Sequence, residues 1–273
     1  MKRPSFFALT ALILAFLAPL AAQDPERTDL YNEIQKRGTV TIGISENYPP
    51  LNFEKGRKGV EIEIARELGA FMSAKVKLVP LKIADYLPAL ERGDIDLLIA
   101  GLSRNLPRAQ KIWFSEPYIT ITPAALISKR VLPQTKYGDQ FEEAPLRTIW
   151  DLGRFHGFKC AVKKGSSYEV LLTSRFPGIT RVLVADNTEG FASLRRGTAQ
   201  GFIHDSLFLQ YHYRKDASLS GAFALLSGGD VVEELCVGIP FGAAVLKNQV
   251  DVFIAEMKRQ GQISEWLDKY GKE

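Results

Sequence analysis

Residues 101–108 read Gly-Leu-Ser-Arg-Asn-Leu-Pro-Arg and follow an apolar run from Ile95 to Ala100. Gly101, at the end of such a buried strand, lets a ligand approach the backbone because it has no side chain. Asn105 is a good helix N-cap, and Pro107 suits a first helical turn. The backbone N–H groups of that turn are free and Arg108 lies within it. A helix N-terminus beside a guanidinium fork is a carboxylate site by geometry and charge. The plainer alternative is a solvated helix arginine. Residues 163–168, Lys-Lys-Gly-Ser-Ser-Tyr, repeat the same physics. Gly165 is followed by Ser166 and Ser167 between a strand and a helix, which offers hydroxyls and free amides. The alternative is simple capping, for which Ser167 is placed. Asp205 ends a strand whose preceding residues are apolar. A carboxylate there needs a partner, and an ammonium group would satisfy it; capping a helix that begins near Ser206 would do so as well. Tyr48, with Pro49, Pro50 and Phe53, offers an aromatic face to an apolar or planar ligand group, or else lids the core.

Other chemistry finds little support. No Gly-x-Gly-x-x-Gly or Walker loop occurs, and residues 163–168 lack the Gly-x-Ser-x-Gly spacing of a nucleophile elbow. His156, His204 and His212 have no metal-ligand spacing and read as surface or packing residues, so neither a metal nor a cofactor is expected. Asp94 and Asp96 flank a strand start and read as turn and pairing residues. Two cysteines, Cys160 and Cys236, exclude a disulfide scaffold and a four-cysteine zinc site. They could pair with each other in an oxidising compartment or remain two separate buried thiols.

These groups need a scaffold, and the chain has one. It holds 273 residues, 46% hydrophobic and 24% charged, which suits two globular domains and excludes a disordered or fibrous chain. Formal net charge is +4; Lys2 and Arg3 supply two of these charges, leaving +2 without residues 1–22. No basic stripe marks a nucleic-acid footprint. Lys2 and Arg3 precede an apolar run from Phe6 to Leu20, with small residues at Ala18, Ala21 and Ala22. That is the pattern of a signal peptide, residues 1–22, cleaved after Ala22. The run falls short of the ~20 residues a membrane span needs. No cysteine stands near the cleavage point to carry a lipid.

Downstream, strands and helices alternate. Helical patterns cover Leu30 to Arg37, Val60 to Met72 and Ile83 to Arg92; strand patterns cover Thr39 to Ser45, Val76 to Pro80 and Ile95 to Ala100. The alternation restarts with strands at Lys159 to Val162, Arg181 to Val184 and Phe202 to His204. Helices fall between them at Tyr168 to Arg175 and Glu189 to Arg195. A polar loop, Val131 to Leu146, separates the halves, and Gln249 to Lys269 reads as a helix pair split near Gly261. The fold class is therefore α/β. Residues 90–99 and 194–203 echo each other around Gly93 and Gly197, and eight residues beyond these glycines come Gly101 and Asp205. Two α/β units would thus present equivalent strand ends, outside which ligands bind in open sheets.

Taken in order, Tyr48-Pro-Pro, Gly101 with Ser103, Pro107 with Arg108, residues 114–118 (Phe-Ser-Glu-Pro-Tyr), Asp151 with Leu152, residues 164–167, Gly197 and Asp205 resemble the family 3 solute-binding proteins. These are the periplasmic amino-acid receptors of ABC importers, and the likeness covers about residues 35 to 270. The resemblance implies a two-lobed type II periplasmic-binding fold with a cleft and a two-strand hinge. Residues 30–120 plus 237–273 would form lobe 1 and residues 121–236 lobe 2. The crossings would lie near Ile121 to Ile127 and near Val237 to Ala243. It also implies roles. Arg108 matches the arginine that clamps the ligand carboxylate, and Ser103 the hydroxyl that assists it. Gly101 matches the carbonyl donor to the ammonium, and Asp205 its acidic partner. Ser166 and Ser167 match the lobe 2 residues that close on the carboxylate, and Tyr48 the aromatic that packs on the ligand side chain. Ser45 stands where receptors for basic amino acids carry an acid, with Glu46 beside it.

The implied function is capture of a small amino acid or related zwitterion by hinge closure, in the periplasm, as a monomer, with delivery to an ABC permease. No catalysis is expected. Two alternatives on the same fold are a non-transport accessory or sensory protein and an enzyme like cyclohexadienyl dehydratase. The latter uses an arginine soon after the lobe 2 glycine turn, where this chain continues with Ser166, Ser167 and Tyr168.

Overall fold

The computed structural model of the chain describes residues 30–132, 146–155 and 157–272. The expected signal peptide, most of the loop between Val131 and Leu146, and His156 lie outside the described residues.

Two five-stranded mixed sheets form two lobes. The first has the order β2-β1-β3-β10-β4, from β1 (Thr39–Ser45), β2 (Lys75–Leu81), β3 (Leu97–Leu98), β4 (Ile112–Ile121) and β10 (Glu233–Pro240). The second has the order β7-β6-β8-β5-β9, from β5 (Pro123–Ser128), β6 (Lys159–Lys163), β7 (Thr180–Val184), β8 (Gly201–Asp205) and β9 (Phe223–Ser227). Each sheet has a parallel half and an antiparallel half. β1 runs parallel to β2 and β3, while β10 runs antiparallel to β3 and β4. β6 runs parallel to β7 and β8, while β5 runs antiparallel to β8 and β9.

Burial explains the central strands. Ile95, Leu97, Leu98, Ile99 and Ala100 are all buried, as a strand covered on both faces requires. Only Leu97 and Leu98 form regular strand, but Asp96 N–H and Ile99 N–H still donate to Thr41 O and Gly43 O of β1. α2 (Val60–Phe71) buries Ile62, Ala65 and Leu68, its apolar stripe. The expected terminal helix pair is α9 (Ala244–Arg259) and α10 (Gln262–Lys272), which pack on β4 and α2 respectively.

The internal echo is structural. α3 (Tyr86–Arg92) ends on Gly93 at φ 76°, and α6 (Asn187–Arg196) ends on Gly197 at φ 71°. Both are left-handed caps, which glycine adopts without a Cβ penalty. Each cap feeds the third strand of its sheet.

The chain crosses between lobes at Thr122, between β4 and β5, and again at 228–232, between β9 and β10. The first crossing lies within the expected span. The second does not. β10 pairs with β4 from Glu233↔Ile121 onward, so the expected border between 236 and 237 falls inside a strand of the first sheet. Glu233 and Glu234 gave that strand a polar start, which disguised where it begins. Cys160 and Cys236 are both free and buried, one in β6 of the second sheet and one in β10 of the first. They do not pair.

Candidate functional site

The loop from Gly101 to Arg108 crosses the mouth of the first sheet. Asn105 Oδ1 accepts from Arg108 N–H at 3.0 Å and starts α4 (Leu106–Ala109), a single turn. That turn aims the guanidinium back across the loop. Arg108 Nη1 donates to Ser103 O at 2.9 Å, and Nη2 reaches Gly165 O in the other lobe at 3.3 Å. Burial pulls the Arg108 guanidinium down, against the charge of Glu233.

Opposite lies the N-terminus of α5 (Ser167–Arg175). Ser166 is its N-cap: its hydroxyl accepts from Glu169 N–H at 3.3 Å and donates to Lys163 O at 2.7 Å. The capping role foreseen for Ser167 thus belongs to Ser166, because the helix begins at Ser167, one residue earlier than the expected Tyr168. Ser167 is left facing the cleft. Its hydroxyl donates to Glu233 Oε2 at 2.9 Å, and Ser103 Oγ donates to the same oxygen at 2.5 Å.

Asp205 closes β8 opposite Pro123, beside the first crossing. It is wholly buried. Oδ1 accepts from Phe208 N–H at 2.7 Å and caps α7 (Ser206–Lys215). Oδ2 accepts from the Tyr48 hydroxyl and lies 2.6 Å from His204 Nδ1. Burial pushes this carboxyl up, but His204, Tyr48 and the Phe208 amide outweigh it and hold the group below its usual range. The Tyr48 bond runs between lobes, so the acid faces the inter-lobe gap through a phenol.

Tyr48 packs directly on Gly101, where a Cβ would fall 2.1 Å from its Cε1 atom, and Gly101 has φ 60°. Both facts call for glycine. Gly101 N–H donates to Glu61 Oε1 at 2.6 Å, and the Tyr118 hydroxyl donates to that oxygen at 2.5 Å. Glu61 is fully buried in the first turn of α2 and fixes the Gly101 backbone.

The structure therefore brings Tyr48, Gly101, Ser103, Arg108, Ser166 and Ser167 around one small cavity of about 30 Å³, with Asp205 directly behind Tyr48 and His204. Beside it a cavity of about 130 Å³ runs between the lobes, past Ser45, Glu46, Lys82 and Tyr86 on one side and Asp186 and Asn187 on the other. Lys163 lines both. Burial draws its ammonium down to about 8, against the pull of Asp205.

Lys163, His204, Glu233 and Glu61 escaped the sequence reading. Lys163 stands at a strand end before Gly165, a position equivalent to a ligand-facing one. His204 sits in an apolar strand and looked like packing. It does stack on Phe208, with centroids 4.2 Å apart, yet it also lines the cleft. Glu61 was an acid among apolar helix positions, a signal that could have been used. Nothing local marks Glu233. Among the described residues no His, Cys, Asp and Glu cluster could hold a metal, and no helix is long and apolar enough to cross a membrane.

The chain is 25% identical over 262 residues to the L-cystine-binding protein TcyJ of Escherichia coli (strain K12), covering 95% of this chain and 92% of that one. It is also 25% identical to the cyclohexadienyl dehydratase of Pseudomonas aeruginosa over 205 residues, 73% of this chain and 70% of that protein. The relatives thus include both binding proteins and an enzyme. The crystal structure of the ancestral amino-acid-binding protein AncCDT-1, a precursor of cyclohexadienyl dehydratase, superposes with a TM-score of 0.74 at 25% identity, covering 88% of this chain and 98% of that one. Its likeness extends over both lobes and bears out the type II periplasmic-binding fold. Residues 40–273 match the bacterial extracellular solute-binding proteins, family 3, and the chain belongs to that family.

Proposed function

We propose that the protein captures a small amino acid or related zwitterion in the periplasm and hands it to an ABC importer. The observation that carries this reading is a cation on one lobe and an acid on the other, each bonded across the same gap to a neutral group of the opposite lobe. Arg108 from the first lobe reaches the Gly165 carbonyl of the second, and Asp205 from the second accepts the Tyr48 hydroxyl of the first. In this reading Arg108, Ser103, Ser167 and the α5 amides take the ligand carboxylate. The Gly101 carbonyl takes the ammonium, and Asp205, buried behind Tyr48 and His204, acts on it through its charge and the Tyr48 hydroxyl rather than by direct contact. Ser166 serves by holding the turn, and Tyr48 packs along the ligand. The adjoining polar cavity receives the side chain.

Each lobe alone offers half of this set, so a bridging ligand favours the closed arrangement by its differential affinity. Closure about the two crossings is a hinge motion. The closed monomer would dock on an inner-membrane permease, and residues 1–22 would direct export. The names of the relatives support an amino-acid ligand. We read the chain as a binder rather than an enzyme because the turn after Gly165 lacks the arginine of the dehydratase pattern.

A thermal-shift screen of amino acids on protein refolded from denaturant tests the proposal. An amino acid at a hundred times its Kd should stabilise the fold by about 2.7 kcal/mol, raising Tm by roughly 5–10 °C for a chain of this size. Arg108→Ala should abolish the response. A flat response across the panel would refute the amino-acid reading.

A further inference from the structure

Glu233 opens β10 at the second crossing, and its carboxylate sits among the groups just assigned to an incoming carboxylate. Ser103 Oγ and Ser167 Oγ, from opposite lobes and 3.5 Å apart, both donate to Glu233 Oε2. Burial pushes the Glu233 carboxyl up, and the Ser103 and Ser167 hydroxyls and the Arg108 charge pull against it. The backbone fixes the arrangement. Ser103 forms an antiparallel bridge with Leu235, Arg104 N–H donates to Glu234 O at 3.0 Å, and Cys236 N–H donates to Leu102 O at 3.0 Å. The serine loop therefore runs as a short extra strand beside the start of β10. Strand alternation sends successive side chains to opposite faces. Glu234 turns outward to pair with Arg104, and Glu233 turns into the cleft.

Two carboxylates cannot share one such grip ionised, because like charges at contact distance disfavour each other. The Glu233 side chain is tethered beside the grip, so its effective concentration there is high. An external carboxylate has to displace it.

We propose that Glu233 is an internal carboxylate that competes with the ligand for the Ser103, Ser167 and Arg108 grip and clasps the lobes together in the ligand's absence. The proposal rests on the amino-acid reading of that grip and deepens it. The measured affinity for a ligand becomes a difference between two carboxylates in one site, and the clasped form lowers the fraction competent to bind.

Acetate tests this, because it carries a carboxylate and no ammonium and so reports the grip whether or not an amino acid binds. Melting curves would be taken on refolded wild type, Glu233→Ala and the double variant Glu233→Ala with Ser167→Ala, in sodium acetate and in sodium chloride at equal ionic strength. In Glu233→Ala, acetate should raise Tm by roughly 2–5 °C beyond chloride. Wild type should show no acetate-specific shift, and the double variant should lose the response. An equal response in wild type and Glu233→Ala, or none in the folded single variant, would overturn the proposal. Solution X-ray scattering on the refolded wild type alone gives a second reading that needs no variant. The radius of gyration without ligand should match the closed arrangement, and an open population would overturn the clasp.

Discussion

Replacing Asp205 by alanine removes an acceptor used by three groups: Phe208 N–H, the Tyr48 hydroxyl and His204. The cap on α7 is worth about 1 kcal/mol. A hydrogen bond to a charged group contributes about 1.5–3 kcal/mol, and the Tyr48 hydroxyl would be left buried without an acceptor. Tyr48 and His204 line a cavity that water can enter, which returns part of the loss, so the net cost should be about 3–5 kcal/mol. For this size of chain that is a fall in Tm of roughly 6–20 °C. Asp205→Asn should cost less, since its oxygen can still cap α7. The pH dependence separates charge from shape. The native carboxyl is held below its unfolded value, so its stabilisation is present above about pH 4 and is lost as pH falls through the folded value. The gap between wild type and Asp205→Asn should hold above about pH 5 and narrow as pH falls below about 4, the unfolded carboxyl's range. Calorimetric melting across that range measures it. A gap that persists unchanged at pH 3 would refute an ionised Asp205, and an unchanged Tm in Asp205→Ala would refute the bond network.

Arg108→Ala should weaken binding of whichever amino acid the screen identifies by about 3–5 kcal/mol, a factor of 10² to 10³ or more by titration calorimetry; a loss under tenfold would remove Arg108 from the grip. Gly101→Ala should drive a Cβ into Tyr48 at φ 60°, lowering stability by roughly 2–4 kcal/mol in urea melts, and an unchanged midpoint would contradict the packing. Both thiols, pushed up to about 12 by burial, should resist thiol reagents in the native protein; two free thiols should titrate in denaturant without reductant, and none there would indicate a disulfide. Lys163 should titrate near 8 by NMR, and Asp205→Asn should lower that midpoint. Because its folded value lies below the unfolded one, the penalty of burying Lys163 charged is present below about pH 8 and fades as pH rises through it. Lys163→Met should therefore stabilise the fold more at pH 6 than at pH 10, and an equal effect would refute the burial argument.

Tyr48, Glu61 and Gly101 show how a site at strand ends is held. A buried carboxylate in a helix supports one backbone amide, that backbone supports a phenol ring, and the phenol reaches the other lobe. Loosening Glu61 would therefore move groups it never touches, as expected of packed polar networks.

Local sequence physics determined much of this protein. Apolar periodicity located α2, the continuous run before Gly101 located β3, the echo around Gly93 and Gly197 pointed to equivalent strand ends, and a split near Gly261 marked the terminal helix pair, whose first helix begins five residues before the expected Gln249. Asn105, Pro107 and Arg108 announced a helix start with a guanidinium, because capping acts over three residues and needs no distant partner. What remained undecided depended on groups far apart in the chain. Ser103 and Glu233 are separated by 130 residues and Tyr48 and Asp205 by 157. Whether Asp205 caps a helix or meets a charge was open, and the fold makes it cap α7 and meet the other lobe together. The separation of the two cysteines and the border at Glu233 were likewise set by which strands pair. Sequence periodicity reports which face a residue turns to the core. Only tertiary packing decides what stands opposite, since that follows from how two sheets are brought together across a hinge.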